Sequence, residues 1–262
     1  LALAADGVVL GPVAAPAAVG QDGALSFVIQ RESGSPVTEF AVAHEKELHL
    51  IVVRTDGTQF RHVHPELDRA TGTWSLPWRW DAAGTYRVYA DFTPAAEGAS
   101  GVTLSRLVEV AGDYQPVPTQ VTRTAETGGF TVAVAGDLTA GAASELTFSV
   151  TRDGRPVTAL QPYLGAFGHL VALREGDLAY LHVHAGDPST SSGGGEASSG
   201  GGEASSGSGE AIGFSVAAPT AGRYLLYLDF QVDGQVHTAQ FVLDATSSIG
   251  NGNHDHSHSG GH

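Results

Sequence analysis

The sequence contains no cysteine and no methionine. The first absence excludes a disulfide framework, a thiolate metal site and a cysteine nucleophile, and the second removes the thioether ligands that Cu(I) prefers. Basic residues are scarce as well: 13 Lys and Arg stand against 28 Asp and Glu, a formal net charge of −15 with histidine neutral. Nucleic acid is therefore not an expected partner, since no basic patch is available to neutralise phosphates. The same imbalance disfavours an anionic membrane surface and raises the local concentration of cations instead. No apolar run approaches the roughly 18 residues of a membrane span. No segment keeps a 3.6-residue apolar period over helical length, so helices are not expected. The Gly-x-Ser-x-Gly and His-Glu-x-x-His signatures are missing too, and no general acid or base stands out, so the chain does not read as an enzyme, the open alternative being histidines around a metal that activate water or cycle Cu(II). It opens on Leu1 without an initiating methionine, and residues 1–20 are rich in Ala, Val and Pro. These features suit a processed, exported protein located outside the cytoplasm.

What is present is histidine, 12 in all, and six of them recur in two matching stretches. His49 to Pro65 reads HLIVVRTDGTQFRHVHP, and 120 residues later His169 to Ala185 reads HLVALREGDLAYLHVHA. Each stretch consists of two apolar, β-branched runs around a turn signal, Asp56-Gly57 in the first and Gly176-Asp177 in the second, which predicts a hairpin. With those pairs as loops, His49 faces His64 and His169 faces His184. His62 and His182 fall on the same faces, because strand side chains alternate with period two. Each hairpin thus gathers three imidazoles, and neutral imidazole is the commonest metal ligand. Packing at a sandwich end, with the rings bonded to backbone, is the competing reading.

The rest of the chain also repeats. Ala83-Gly-Thr-Tyr-Arg-Val-Tyr-Ala-Asp-Phe92 is echoed by Ala221-Gly-Arg-Tyr-Leu-Leu-Tyr-Leu-Asp-Phe230. Short alternating segments separated by Gly, Pro and Asp turns predict an all-β chain of two tandem antiparallel Ig-like sandwiches, produced by internal duplication. The expected boundaries are an amino-terminal extension over 1–22, sandwich one over 23–111, a linker over 112–127 and sandwich two over 128–245. A Ser/Gly/Glu insertion at about 187–210, built of seven-residue repeats, and a His-rich tail over 246–262 are expected to stay disordered. Trp74, Trp78 and Trp80 share one face by period two and read as core, while Pro77 points away.

Further ligand candidates surround the hairpins. His44 lies five residues before His49, although its counterpart in the second half is Leu164. Asp91 and Asp229 occupy the same place in Tyr-x-Asp-Phe, on the face opposite Phe92 and Phe230. A carboxylate in so apolar a strand is costly unless paired, so it either orients an imidazole through the second ring nitrogen, completes a coordination shell or is an ordinary solvent-facing strand residue. His254, His256 and His258 of the tail can chelate Zn²⁺ or Cu²⁺ without folding. His237 lacks a partner histidine in the first half and reads as an outward polar residue.

Asp153-Gly-Arg-Pro-Val, Pro162-Tyr-Leu-Gly-Ala-Phe-Gly-His169 and Leu181-His-Val-His184 resemble secreted actinobacterial Ig-like β-sandwich proteins related to the YtkA-like domain. More loosely they are similar to CopC-type periplasmic copper carriers. The resemblance covers most of the second half and implies an extracytoplasmic sandwich linked to metal handling. Such carriers often use methionine or an amino-terminal histidine, and this chain has neither. The expectation is a non-enzymatic binder of divalent transition metal, Zn²⁺ or Cu²⁺, through His49, His62 and His64 in one half and His169, His182 and His184 in the other. The alternative is a structural or adhesion module whose histidines do not ligate, with metal ions then not its partners. Neither reading specifies a protein partner.

Overall fold

The structure, a computed structural model, describes residues 2–96, 98–181, 183–185, 202–203 and 211–247. Every regular element among them is a strand. They form two tandem antiparallel Ig-like β-sandwiches, apart from a short parallel pairing of Leu138–Ala140 with the end of Gln235–Ser247. In the first sandwich one sheet runs in the order Ala4–Ala5, Val8–Leu10, Gly23–Arg31, Thr73–Trp78, Glu66–Asp68. The facing sheet runs Val102–Val110, Gly84–Pro94, Leu48–Arg54, Arg61–Val63. The second repeats this plan. One sheet holds Thr124–Thr127, Phe130–Ala135, Ala143–Arg152, Ile212–Ala217 and Val183–Ala185, and the other Leu138–Ala140, Gln235–Ser247, Gly222–Val232, His169–Arg174 and Tyr180–Leu181.

Sequence period decides which faces are buried. Gly23–Arg31 buries Leu25, Phe27 and Ile29 and leaves the residues between them half-exposed, the mark of a strand with one face on a core. Leu48–Arg54 behaves differently, for all seven of its residues are buried. Leu48, Leu50 and Val52 enter the core of sandwich one. Ile51 and Val53, on the other face, join Tyr89, Val171, Leu173, Leu225 and Tyr227 in a separate cluster contributed by both sandwiches. The two units therefore dock sheet against sheet. Each such side chain contributes roughly 1.5–3 kcal/mol relative to exposure, so docking is favoured over loosely strung domains.

The docked face has an approximate two-fold relation. Tyr227 donates its hydroxyl to the Gly57 carbonyl at 2.6 Å, and Tyr89 donates likewise to the Leu178 carbonyl. Phe60 stacks on Tyr227 with ring centroids 3.9 Å apart, and Tyr180 packs against Tyr89 at 5.8 Å. Each hairpin tip thus rests on a tyrosine of the opposite unit.

Five sequence expectations need correction. Residues 1–22 are no separate extension: Val8 and Leu10 are core residues of sandwich one, on a strand paired with Gly23–Arg31. The 112–127 linker is anchored at both ends. Arg54 donates to the Gln115 carbonyl, the Val117 amide donates to Asp56, and Thr124–Thr127 is already a strand of sandwich two. The first hairpin turn closes one residue early, with the Gly57 amide on the Arg54 carbonyl and the Arg54 amide on the Thr58 carbonyl. Gln59, at φ 57, absorbs the extra residue as a bulge, so Ile51 still faces His62 as expected. The second turn is also longer than two residues, since the Arg174 amide reaches the Ala179 carbonyl, yet Ala172 faces Leu181 in the expected register. Finally, Gly202–Glu203 of the insertion is a strand beside His169–Arg174. The remainder of the insertion over 187–210 and the tail from 248 onward lie outside the described residues.

Candidate metal centre between the two sandwiches

The site begins with a turn. Ala43 and Lys46 exchange both backbone hydrogen bonds, and the central residues His44 and Glu45 have φ of 49° and 62°. Tyr163 and Ala166 close the same turn in the second unit around Leu164 and Gly165, with φ of 52° and 83°. Such left-handed pairs suit Gly, Asn and Asp, so His44-Glu45 holds the turn against a backbone preference. The turn points its first carbonyl at the following strand. The His49 Nε2–H donates to the Ala43 carbonyl at 3.1 Å, and the His169 Nε2–H donates to the Tyr163 carbonyl at 2.7 Å.

His49 is thereby left with a bare Nδ1, and this atom is the centre of the cluster. His62 Nε2 lies 3.0 Å from it and His64 Nε2 lies 3.1 Å from it. The ligand atoms of the three residues all fall within 4.8 Å of one another. His62 is oriented from across the interface. Its Nδ1–H donates to Asp229 Oδ2 of sandwich two at 2.8 Å, while the Thr238 hydroxyl donates to Asp229 Oδ1. Asp229 is only 3% exposed, and its two oxygens are engaged in this way. Among the described residues this is the group whose geometry could hold a metal ion.

Burial keeps an extra proton off two of the three imidazoles. Burial, followed by the charge of His62, lowers the His49 pKa to about 2. Burial, then His62 and Lys46, lowers that of His64 to about 3. Burial lowers His169 as well. A cavity of about 20 Å³, lined by His44, His49, His62, Asp91, His169 and Tyr180, lies on the inter-unit side. On the outer side a groove of about 260 Å³ reaches His64 past Glu45, Glu66 and Lys46, with Glu47 paired to Arg69.

The other expected ligands are placed as follows. His44 sits between the units, its ring centroid 5.8 Å from those of both His49 and His169. Asp91 faces His49 in backbone register and accepts from the Thr103 hydroxyl. In the second unit the backbone pairing expected for His184 differs. His184 belongs to Val183–Ala185, which pairs with Ile212–Ala217 in the opposite sheet, so it does not face His169. Glu203 of the insertion takes that backbone position instead. Of the outgoing hairpin arm, Tyr180–Leu181 pairs with His169–Arg174, whereas Val183–Ala185 already belongs to the opposite sheet. His182, His254, His256 and His258 lie outside the described residues. His237 packs on Phe130 and Phe230, with centroids 4.9 and 5.5 Å away, rather than standing outward alone. Trp74, Trp78 and Trp80 are core, as expected.

Sequence reasoning missed the Ala43 carbonyl, Thr238 and the inter-unit reach of Asp229. One signal was available for the last. Leu48 to Val53 is apolar at both parities except for His49, the pattern of a strand covered on both faces.

No curated protein matches the chain significantly. Among solved structures it is similar to the Escherichia coli adhesin FdeC, at 17% identity and a TM-score of 0.27, over 94% of this chain and 66% of that one. It is also similar to invasin, a bacterial integrin-binding protein, at 12% identity and 0.26, over 92% of this chain and 39% of that one. A putative membrane-anchored protein of Corynebacterium diphtheriae matches at 10% and 0.25, over 92% and 59%. The chain thus spans less than two thirds of the length of these proteins, and likeness at such TM-scores carries no argument about function. A family described as a domain of unknown function, DUF8832, matches residues 4–110 and again 125–247, and the chain belongs to that family.

Proposed function

We propose that this protein is a non-enzymatic, extracytoplasmic binder of a divalent transition metal, Zn²⁺ or Cu²⁺, held by His49 Nδ1, His62 Nε2 and His64 Nε2. The observation that supports it is the proton accounting around His49. The Ala43 carbonyl and the Asp229 carboxylate can only accept, so they fix protons on His49 Nε2 and His62 Nδ1. Two bare nitrogens then face each other at 3.0 Å. Moving the His49 proton to Nδ1 merely transfers the conflict to the Ala43 carbonyl. A cation resolves it, either a metal ion among the three nitrogens or a second proton on His62 whose Nε2–H donates to His49 Nδ1, and only the metal ion would engage His64 as well. Metal–nitrogen bonds of about 2.0–2.1 Å in a tetrahedral site separate the nitrogens by roughly 3.3 Å, close to the distances found. The Asp229–His62 pair is the carboxylate–histidine arrangement that commonly backs a ligating imidazole.

A structural module is the second reading, favoured by one observation: both His49 and His169 already bond to main-chain oxygens. The experiment that decides uses full-length protein with its tail histidines changed to serine. Titration calorimetry with Zn²⁺ and Cu²⁺ should show one tight site that is lost in His62→Ala/His64→Ala. Undiminished affinity in that double variant, or a melting curve indifferent to both metal and chelator, would reject the metal reading in favour of the structural one.

A further inference from the structure

The three nitrogens all come from sandwich one, yet the group that orients one of them comes from sandwich two. His62 is held through Nδ1 by Asp229, 167 positions away, and Asp229 is held in turn by Thr238 on the neighbouring strand of its own unit. If the units separate, His62 loses the partner that sets its tautomer and ring angle, and the buried Asp229 carboxylate loses its imidazole donor. We propose that the centre acts as a latch between the two sandwiches, with ion binding and docking thermodynamically coupled and Asp229 as the positioning residue. This rests on the metal reading above.

The coupling has a defined sign. An ion on His62 Nε2 makes the Nδ1–H a stronger donor, which strengthens the bond to Asp229 and hence the docked state. By linkage, docking must then raise ion affinity by the same factor. Outside the cavity lined by His44, Asp91 and His169, the docked face is apolar and tyrosine-based, so that part holds the units together without supplying an electrostatic preference for the ion. His62–Asp229 is the contact through which occupancy is read across the interface.

The absence of cysteine allows a direct test, because two introduced cysteines can be labelled uniquely. Leu107→Cys and Val236→Cys lie at exposed sites on sandwiches one and two, 53% and 43% exposed. Spin labels on this pair report the inter-unit distance by electron–electron resonance, and Zn²⁺, being diamagnetic, does not disturb the readout. We expect Zn²⁺ to narrow the distance distribution, and Asp229→Asn to keep binding but lose 10- to 100-fold in Zn²⁺ affinity. The narrowing should disappear in that variant. Gly57→Val serves as an independent probe at the hairpin tip. A side chain there meets Leu225 of the other unit, with Cβ only 2.5 Å from its Cδ1, and strains a backbone at φ 81, so the tip must shift away from the other unit while every histidine is retained. Zn²⁺ affinity should fall in this variant too. Should wild-type protein bind Zn²⁺ through the triad while Asp229→Asn and Gly57→Val bind it equally well, the latch is overturned and the metal site stands. A wild-type protein that binds no Zn²⁺ overturns both.

Discussion

His49 sets the chemistry because its two ring nitrogens face opposite demands. Nε2 must donate to a carbonyl, and Nδ1 must remain bare among two other imidazoles. Its lowered pKa, from burial and then His62, also has a consequence for the metal-free protein. The folded state leaves His49 neutral between pH 6.5 and about 2, whereas the unfolded chain takes up a proton below about 6.5. The unfolded state therefore binds more protons in that window, and stability falls as the pH drops from 7 to 4. His64, lowered to about 3, adds to the same slope. Urea unfolding of chelator-treated protein across this range should show the decline, and His49→Gln should flatten it. An equal slope in the variant would mean that other groups carry the dependence.

At the scale of single elements, the two hairpins are kept straight by unlike devices. In the first, Arg54 is 4% exposed, pairs with Asp56 through Nε and Nη2, and donates to the Ala83 and Gln115 carbonyls. Asp56 also accepts from the Thr58 amide and hydroxyl and from the Val117 amide. Burial pushes the Asp56 pKa up, but these donors outweigh it and hold the carboxyl below its ordinary range. The second hairpin has a more exposed counterpart, Arg174 with Asp177. Arg54→Ala leaves Asp56 buried without its cation and should destabilise sandwich one by about 3–5 kcal/mol. It should also free residues 115–117 for proteolysis, whereas Arg174→Ala should change stability by less than about 1 kcal/mol. The turn at Ala43–Lys46 makes a separate prediction. Its residue Glu45 has φ 62 where the second unit has Gly165. Glu45→Gly should therefore raise the midpoint of unfolding by the equivalent of about 1 kcal/mol. A fall would show that the Glu45 side chain contributes more than its backbone strain.

Over the whole molecule, the docked face joins two sandwiches into one cooperative body around a shared cluster. Tyr227→Ala removes the stack with Phe60 and the bond to the Gly57 carbonyl. Loss of a buried aromatic of this kind costs about 3–5 kcal/mol, and here the loss falls on the interface rather than on either core. Calorimetry should accordingly resolve one transition in the wild type and two in Tyr227→Ala, while a single unshifted transition would mean that docking contributes little. No helix among the described residues is long and apolar enough to cross a membrane.

The β content, the duplication, the register that sets Ile51 against His62 and the common face of His49, His62 and His64 were all legible in the residues. They follow from the two-residue period of a strand and the pairing of neighbours across a short turn, both of which are local. The expected facing of His184 with His169 was misjudged because a strand's choice of sheet is not local: Val183–Ala185 pairs with Ile212–Ala217, and His184 goes with it. Tertiary structure alone decided that the histidine face of sandwich one lies against sandwich two, and so that Asp229 reaches His62. Nothing in the spacing of Asp229 could reveal this, since the contact depends on how two finished sheets match their apolar surfaces.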